Sequence, residues 1–313
     1  MVYHAGEYEV QARTGEFDDA MQVASAIRSF VPPPLARFLT TQPWVLVGAA
    51  DPAGPVWATV LCGPAGFIRA ADGATILIEA LPPRGDPLEQ LSSPVPAGLL
   101  AIDLARRMRA RINGMLRRRA TGFTLNVEQA YANCMKYIQR REFAQGDPGP
   151  AGSGGLPGPA IMADHLSAQD TALVRAADTM FIATTAPAGS DVSHRGGRPG
   201  FIEITGPATV RFADYPGNSM FNTLGNLHLD QRAGLLIPDF GTGDLLHLSG
   251  SASVDFEPPP DHRHPGARRI ITVTASRVVR RAAILPFRYG EAEYSPFLPQ
   301  QPGAPHSEHR EGA

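Results

Sequence analysis

Residues 190–201 carry the densest group of side chains able to bind an anion. This segment holds two arginines, two serines and three glycines within a dozen positions. Arginine presents a fork of N–H donors that matches a phosphate, and glycine lets backbone amides approach an oxyanion closely. We therefore predict a phosphate-binding loop here. Its candidate cofactor ligands are Ser193, His194, Arg195, Gly196 and Gly197.

A second candidate segment, residues 214–226, joins a predicted strand to a predicted short helix. Asn218 and Ser219 are expected where the amides at the start of that helix face an anion. Glycine-rich turns usually only shape the backbone, so each segment alone is a weak indication of a site. Both lie in the same half of the chain, which strengthens the prediction. The candidate ligands added here are Gly217, Asn218, Ser219 and Asn226.

The arginine-rich segment 106–114 shows two conflicting patterns. Its apolar residues have helical spacing, whereas Arg107, Arg109 and Arg111 alternate with apolar residues at period two. We predict a strand with one charged face. Arginines on such a face either bind an anion or keep a sheet edge soluble, and the sequence leaves both interpretations open.

The elements that must position these residues occur twice along the chain. Residues 66–68 (Gly-Phe-Ile) recur 134 residues later as residues 200–202, and residues 97–103 are echoed by residues 233–239. This period is longer than the roughly 20 to 50 residues of solenoid and propeller repeats. We therefore expect two similar units that face each other, with a ligand in the cleft between them.

Composition shifts and local patterns divide the chain into four segments. The first unit with a helical lead-in spans residues 1–143, a Gly/Pro-rich linker 144–160, the second unit 161–298, and a disordered tail 299–313. Helices are predicted over residues 17–30 and about 168–177, and a β-hairpin over residues 43–60.

Composition is that of a globular protein with no bulk affinity for nucleic acid. The 313 residues suffice for two cores, 43% of them are hydrophobic, and the formal charge of −2 argues against neutralising many phosphates. Two cysteines cannot form a disulfide framework, and no apolar run approaches the roughly 20 residues of a membrane span. We expect a cytoplasmic protein that does not enter a membrane.

The sequence resembles the pyridoxamine 5′-phosphate oxidase family of FMN-binding split barrels. In the second unit the resemblance lies in residues 191–201, 217–218 and 225–227. In the first unit it lies in Trp57 and residues 66–67, 85–88, 109–114 and 133–139. Together these motifs run from about Leu35 to Arg281. The resemblance also suggests kinship with the tandem-barrel branch, which is related to fusions with a ferredoxin-reductase module.

The resemblance implies a mainly β fold with flanking helices, arranged as two tandem six-stranded antiparallel split β-barrels with FMN at their interface. It implies that basic side chains and loop amides hold the FMN phosphate. From the first unit it adds the candidate cofactor ligands Arg84, Arg109, Arg111 and Lys136.

The two units are not equally equipped for this role. Ser193 corresponds to Thr59, but Arg195 corresponds to Leu61. This favours one site per chain, built mainly from the second unit. Two sites, or a site that spans a homodimer, stay open.

One departure from the family bears on the substrate. Arg280 and Arg281 are not followed by the tryptophan of the family's substrate-binding segment, so the vitamin substrate is not assigned. Because the family includes heme-handling and deazaflavin-using members, heme and deazaflavin are alternatives to FMN.

The sequence thus predicts an FMN-dependent oxidoreductase. It would transfer a hydride or electrons to or from a small molecule or dioxygen, with a reduced nicotinamide or a separate reductase as donor. The alternative is a non-catalytic flavin or heme carrier. No metal site and no catalytic side chain are predicted.

Overall fold

A computed structural model describes residues 2–50, 54–91, 93–144, 158–260 and 263–299. Most of the predicted linker, and all but the first residue of the predicted tail, lie outside the described residues. The domain boundaries therefore stay predictions. No helix within the described ranges is long and apolar enough to cross a membrane.

Each half of the described chain is one antiparallel sheet with flanking helices. The strands of the first unit are β1 Trp44–Ala50, β2 Val56–Cys62, β3 Ile68–Ala70, β4 Thr75–Ile78, β5 Val95–Asp103, β6 Met108–Arg119 and β7 Gly122–Asn133. Those of the second unit are β8 Ile161–Ala163, β9 Thr179–Ala186, β10 Gly189–Gly196, β11 Ile202–Gly206, β12 Thr209–Asp214, β13 Arg232–Pro238, β14 Leu245–Asp255 and β15 Arg269–Arg281.

The two sheets repeat one topology. The first has the order β2-β1-β5-β6-β7-β4-β3 and the second the order β10-β9-β13-β14-β15-β12-β11, with β8 added beside β15. Each sheet surrounds its own apolar core. The predicted mainly β fold of two tandem antiparallel units is confirmed. The sheets have seven and eight strands because short strands extend the six that were expected.

Five helices flank the sheets within the described residues. They are α1 Ala5–Thr14, α2 Phe17–Ala24, α3 Pro33–Thr40, α4 Ala168–Ala176 and α5 Asn222–Leu229. The helix predicted over residues 17–30 ends at Ala24, because the chain then turns to form a β-bridge between Arg28 and Ala130. The hairpin of β1 and β2 and the helix near residue 168 agree with the sequence prediction.

The arginine-rich segment forms a strand as predicted, whereas residues 190–196 correct the sequence analysis. They form strand β10 rather than a loop, with Ser193 opposite Ile182 of β9. The eight residues of β9 are all buried and provide a continuous pairing edge. Within a strand, side chains alternate between two faces, so alternate residues of β10 point toward the neighbouring unit.

The two units pack face to face through β1, β2 and β5 on one side and β9, β10 and β13 on the other. Trp44 is almost fully buried in this interface and packs edge-on against Phe181. Glycines allow two close backbone approaches here. A Cβ at Gly98 would lie 2.5 Å from the Asp191 Cα, and a Cβ at Gly234 would lie 2.7 Å from the Trp57 Cα.

Candidate functional site

A cleft opens at the edge of this interface and is lined by both units. Strand β6 and residues 133–137 line it from the first unit, and β10, the end of β12 and residues 215–224 line it from the second. Its empty space is about 910 Å³, a volume that includes open solvent. Most predicted ligands line it, namely Arg109, Arg111, Lys136, Ser193, His194, Arg195, Gly196, Gly217, Asn218 and Ser219.

Arg111 forms the buried floor of the cleft. Its guanidinium lies 3.0 Å from the carboxylate of Asp191, which comes from the other unit. It also donates hydrogen bonds to the Ser193 Oγ and, at 2.7 Å, to the Asn222 Oδ1. Thr223 donates to the same Ser193 oxygen at 2.9 Å. These contacts orient Arg111 and Ser193 across the boundary between the units.

Arg109 lies beside this floor and has no carboxylate contact among the described residues. Its Nε donates to the Cys134 carbonyl at 2.9 Å, and its Nη1 lies 3.0 Å from the His194 Nδ1. Because a guanidinium can only donate, Nδ1 accepts and the His194 proton is on Nε2. Burial, Arg109 and Arg195 hold the pKa of His194 well below its usual value. The imidazole is therefore neutral at pH 7.

Arg195 approaches the cleft from the second unit. It lies 3.4 Å from the Asp214 carboxylate, which Arg269 binds more closely at 2.8 Å. Arg269 also lies 3.5 Å from Glu16 of the N-terminal segment. Asp214 thus serves both guanidinium groups, and Glu16 is a second carboxylate partner for Arg269 alone. Burial is the main cause that lowers the pKa of Arg195.

The cleft has an excess of positive charge. Its described lining holds five cationic side chains, namely Arg109, Arg111, Lys136, Arg195 and Arg269, and one carboxylate, Asp214. Burial, Arg111 and Arg195 lower the pKa of Arg109 to about 9. A charged group under such repulsion is stabilised by an added anion.

Several buried donors and acceptors of the cleft have no hydrogen-bond partner within the described part of the chain. They are the Arg111 Nε, Asn133 Oδ1, His194 Nε2 and Arg195 Nε. Buried polar groups in proteins are nearly always paired, so these atoms indicate a polar ligand. The residues present therefore fit an anionic cofactor.

The rim of the cleft is aromatic and carries backbone strain. Tyr137 and Tyr215, one from each unit, pack with ring centroids 5.5 Å apart. Tyr137, Ser219 and Phe221 all line the cleft with positive φ, between 57° and 65°. Non-glycine residues adopt this conformation at a cost, and such positions concentrate at binding sites.

The anion contacts at Asn218 and Ser219 stay predictions, and the structure places these residues differently from the expected helix start. Both residues line the cleft, but α5 begins later, at Asn222. The Ser219 Oγ donates to Glu16 at 2.6 Å, and the Asn218 Oδ1 accepts from the Met220 amide at 3.3 Å. Ser219 and Asn218 therefore hold this loop in shape rather than standing at a helix start.

Three predicted ligands are not among the residues that line the cleft. Gly197 pairs its amide with the Asp178 carbonyl. The Asn226 side chain lies behind the floor, where its amide donates to Thr184 at 3.1 Å. The Arg84 carbonyl accepts a hydrogen bond from Arg281 on the other side of the interface.

The pseudo-equivalent position in the other half is filled by protein groups. Arg281 of β15 corresponds to Asn133 of β7. Asn133 pairs with Arg109, two residues before Arg111, and Arg281 pairs with Leu245, two residues before His247, which corresponds to Arg111. The Arg281 guanidinium lies 3.3 Å from Asp86, and both side chains are fully buried. The Thr59 Oγ1 also donates to Asp86, at 2.6 Å. An internal carboxylate neutralises the cation here.

Sequence reasoning missed part of the site. The sequence motifs include Asp191, Asn222 and Thr223 but do not single them out as ligands. In the structure all three contact the floor. The start of α5 is a local signal that could have found Asn222 and Thr223. Glu7 accepts a hydrogen bond from Asn222 over a separation of more than 200 residues, and no local pattern indicates it.

Comparison with known proteins found no matching family model and no matching curated protein. Among solved structures, HupZ of Group A Streptococcus matches with 10% identity and TM-score 0.31, over 40% of this chain and 99% of its own. A candidate pyridoxamine 5′-phosphate oxidase of Lactobacillus delbrueckii matches with 12% identity and TM-score 0.30, over 37% and 94%. A FAD-binding protein of Mesorhizobium loti matches with 15% identity and TM-score 0.28, over 40% and 98%. Likeness at this level carries no argument about function.

Proposed function

We propose that the chain binds FMN in the cleft between its two units and acts as a flavin-dependent oxidoreductase on a small molecule. One observation carries the proposal. Of the five cationic side chains that line the cleft, Arg109 and Lys136 have no carboxylate contact within the described residues, and three buried donors, the Arg111 Nε, His194 Nε2 and Arg195 Nε, have no described partner. A phosphate monoester supplies the negative charge and the acceptor oxygens that these N–H donors lack.

The shape of the charge distribution favours a mononucleotide with a flat ring. Arg111 and Arg269 are buried in the cleft lining, whereas Tyr137 and Tyr215 are half-buried and pack against each other. Arg109, Arg111, Arg195 and Ser193 would hold the phosphate, and the aromatic side chains would contact the ring. Aromatic side chains pack well against flat conjugated systems.

FMN, when bound, supplies reversible two-electron redox chemistry. The chain's own residues bind the cofactor, orient it and shield it from solvent. Arg111 and Asp191 keep the floor rigid, and neutral His194 offers an N–H donor from Nε2 rather than a third charge beside Arg109 and Arg195.

The partners that go with this proposal are a small-molecule substrate and, as donor, a reduced nicotinamide or a separate reductase. A cytoplasmic location and a homodimer are part of the same hypothesis. Dioxygen or a second substrate would accept the electrons.

The first test is the visible spectrum of the purified protein, with the chromophore released by heat and identified by mass. We expect FMN. A colourless protein that cannot be reconstituted with FMN would refute the proposal. Bound heme or deazaflavin would show that this group, and not FMN, is the cofactor.

The matched variants are Arg195→Leu, which introduces the residue of the first unit, and Arg117→Leu, which removes an exposed arginine of β6 outside the cleft. Losing one charge-assisted hydrogen bond costs about 1.5–3 kcal/mol, or about 10- to 100-fold in affinity. The affinity of Arg195→Leu for FMN should fall by this factor, and the affinity of Arg117→Leu should equal that of the wild type. Equal flavin content in both would overturn the assignment of Arg195.

A second measurement separates the enzyme from the carrier. FMN on the protein is reduced under anaerobic conditions, and its reoxidation by dioxygen or an added acceptor is timed against free FMN. Faster reoxidation on the protein supports the oxidoreductase, and slower reoxidation with every acceptor supports the carrier.

A further inference from the structure

The N-terminal helix α1 packs unusually close to α5, behind the floor of the cleft. A Cβ at Gly6 would lie 2.2 Å from the Gly225 carbonyl oxygen, and a Cβ at Gly225 would lie 2.6 Å from the Glu7 Cγ. Two glycines therefore let the helices touch along their backbones. This contact places Glu7 and His4 beside the cleft floor, although neither residue lines the cleft itself.

Glu7 is connected to Arg111 through one asparagine. The Glu7 Oε1 accepts from the Asn222 Nδ2 at 2.5 Å, and the Asn222 Oδ1 accepts from Arg111 at 2.7 Å. The two ends of an amide have opposite hydrogen-bonding character. Because the Glu7 carboxylate accepts from the Asn222 NH₂ group, the Asn222 Oδ1 faces the Arg111 guanidinium. Turning the amide over would place its N–H donors against Arg111.

His4 makes the parallel connection to Asp191. The His4 Nε2 lies 2.9 Å from the Asn226 Oδ1, and the Asn226 Nδ2 lies 3.4 Å from the Asp191 Oδ1. Asn222 and Asn226 are one turn apart on α5, so they share a face of the helix. Each of them thus links one N-terminal side chain to one member of the Arg111–Asp191 pair.

The surroundings of Glu7 show that its carboxyl group is confined. It is 2% exposed, and its Oε2 accepts from the His4 amide at 2.8 Å. The charged and titratable groups that act on it are His4, Tyr3, Arg111 of β6, Tyr131 of β7 and Asp191 of β10. Burial in this setting raises the pKa of Glu7 to about 7.

We propose that Glu7 is a positioning residue of the cofactor site, which orients Asn222 and through it holds Arg111 and Ser193 for the phosphate of the ligand. The inference rests on the proposed FMN function. It makes α1, outside both sheets, a functional part of the cleft. Glu7 acts through Asn222 and Arg111 and contacts neither the phosphate nor the ring.

The test compares three single variants by FMN dissociation constant, measured from quenching of flavin fluorescence. Glu7→Ala should weaken binding about tenfold or more, since Asn222 loses the acceptor that orients it. Glu7→Gln keeps an oxygen acceptor for Asn222 and should recover most of the affinity. Glu9→Ala on the same helix, whose exposed carboxylate contacts only His228 among its described partners, should match wild type.

A double-mutant cycle checks the route through Asn222. If Glu7 acts on Arg111 through this amide, the effect of Glu7→Ala should vanish in an Asn222→Ala background. An undiminished effect there would overturn the inference. So would Glu7→Gln behaving like Glu7→Ala, or Glu7→Ala behaving like Glu9→Ala.

The ¹⁵N signal of the Arg111 guanidinium, recorded without FMN, separates the two proposals. Slow rotation of this group in wild type and fast rotation in Glu7→Ala support the positioning role even if FMN does not bind. Absence of FMN binding by wild type refutes the proposed function alone, whereas an unchanged Arg111 signal refutes the positioning role alone.

Discussion

Gly98 of the first unit lies directly against the backbone of Asp191 in the second. The gap admits no side chain, since a Cβ on Gly98 would lie 2.5 Å from the Asp191 Cα. Asp191 is also the ion-pair partner of Arg111 on the cleft floor, at 3.0 Å. The close approach of the two units and the geometry of the site therefore depend on the same residue.

Gly98→Ala should force β5 and β10 apart and move Asp191 away from Arg111. Overpacking of this kind costs about 1–3 kcal/mol of the free energy of unfolding. We expect a lower melting temperature together with weaker FMN binding, measured by thermal denaturation and fluorescence titration.

The pseudo-equivalent substitution Gly234→Ala is the control for Gly98→Ala. It crowds the same interface at Trp57, away from the cleft. A similar loss of stability with nearly unchanged FMN affinity is expected. Equal losses of affinity in both variants would contradict the link through Asp191.

Glu7 should make stability depend on pH. Its pKa rises from 4.5 to about 7 on folding, mainly through burial, so between these values the folded chain holds a proton that the unfolded chain has lost. The contribution of Glu7 to the free energy of unfolding therefore falls as pH increases from about 4.5 to about 7. Chemical denaturation at several pH values should show this decline in wild type relative to Glu7→Gln. Parallel curves would contradict it.

FMN should bind with a stoichiometry of one per chain. The pseudo-equivalent position is filled by Arg281 and Asp86, which form a fully buried ion pair. Asp86→Ala would leave Arg281 buried without its carboxylate, at a cost of about 3–5 kcal/mol in the free energy of unfolding. Calorimetric titration should give one site in wild type, and two equivalent sites would show that this position also binds FMN.

The two cysteines should report on occupancy of the cleft. Cys134 is exposed in the cleft lining, whereas burial raises the pKa of the Cys62 thiol to about 12. The thiolate is the reactive form, so iodoacetamide should modify Cys134 and spare Cys62. Saturating FMN should slow modification of Cys134, measured by mass spectrometry. An unchanged rate would place FMN away from this part of the cleft.

Arg280 and Arg281 illustrate how a local motif acquires its role from packing. In the sequence they occupy the place of a substrate-binding segment that lacks its tryptophan. In the structure both are buried in ion pairs, Arg280 with Asp170 and Asp244, and Arg281 with Asp86. A buried paired arginine is not free to bind a substrate.

The sequence by itself determined the duplication, the mainly β character and ten of the residues that line the cleft. These signals are local: alternation along β6, the apolar run of β9, and a register that recurs after 134 residues. The segment 190–196 was read as a loop because its composition is polar. Its pairing with β9 and burial against the other unit made it a strand.

The tertiary structure alone decided which residues meet. Arg111 and Asp191 are brought together by the packing of one unit on the other, and Glu7 reaches Asn222 because two glycines let α1 and α5 touch. Likewise, an internal carboxylate neutralises Arg281, whereas Arg109 has no carboxylate partner among the described residues and Arg195 shares Asp214 with Arg269. Such contacts join residues far apart in the chain. They follow from the packing of surfaces that no local pattern encodes.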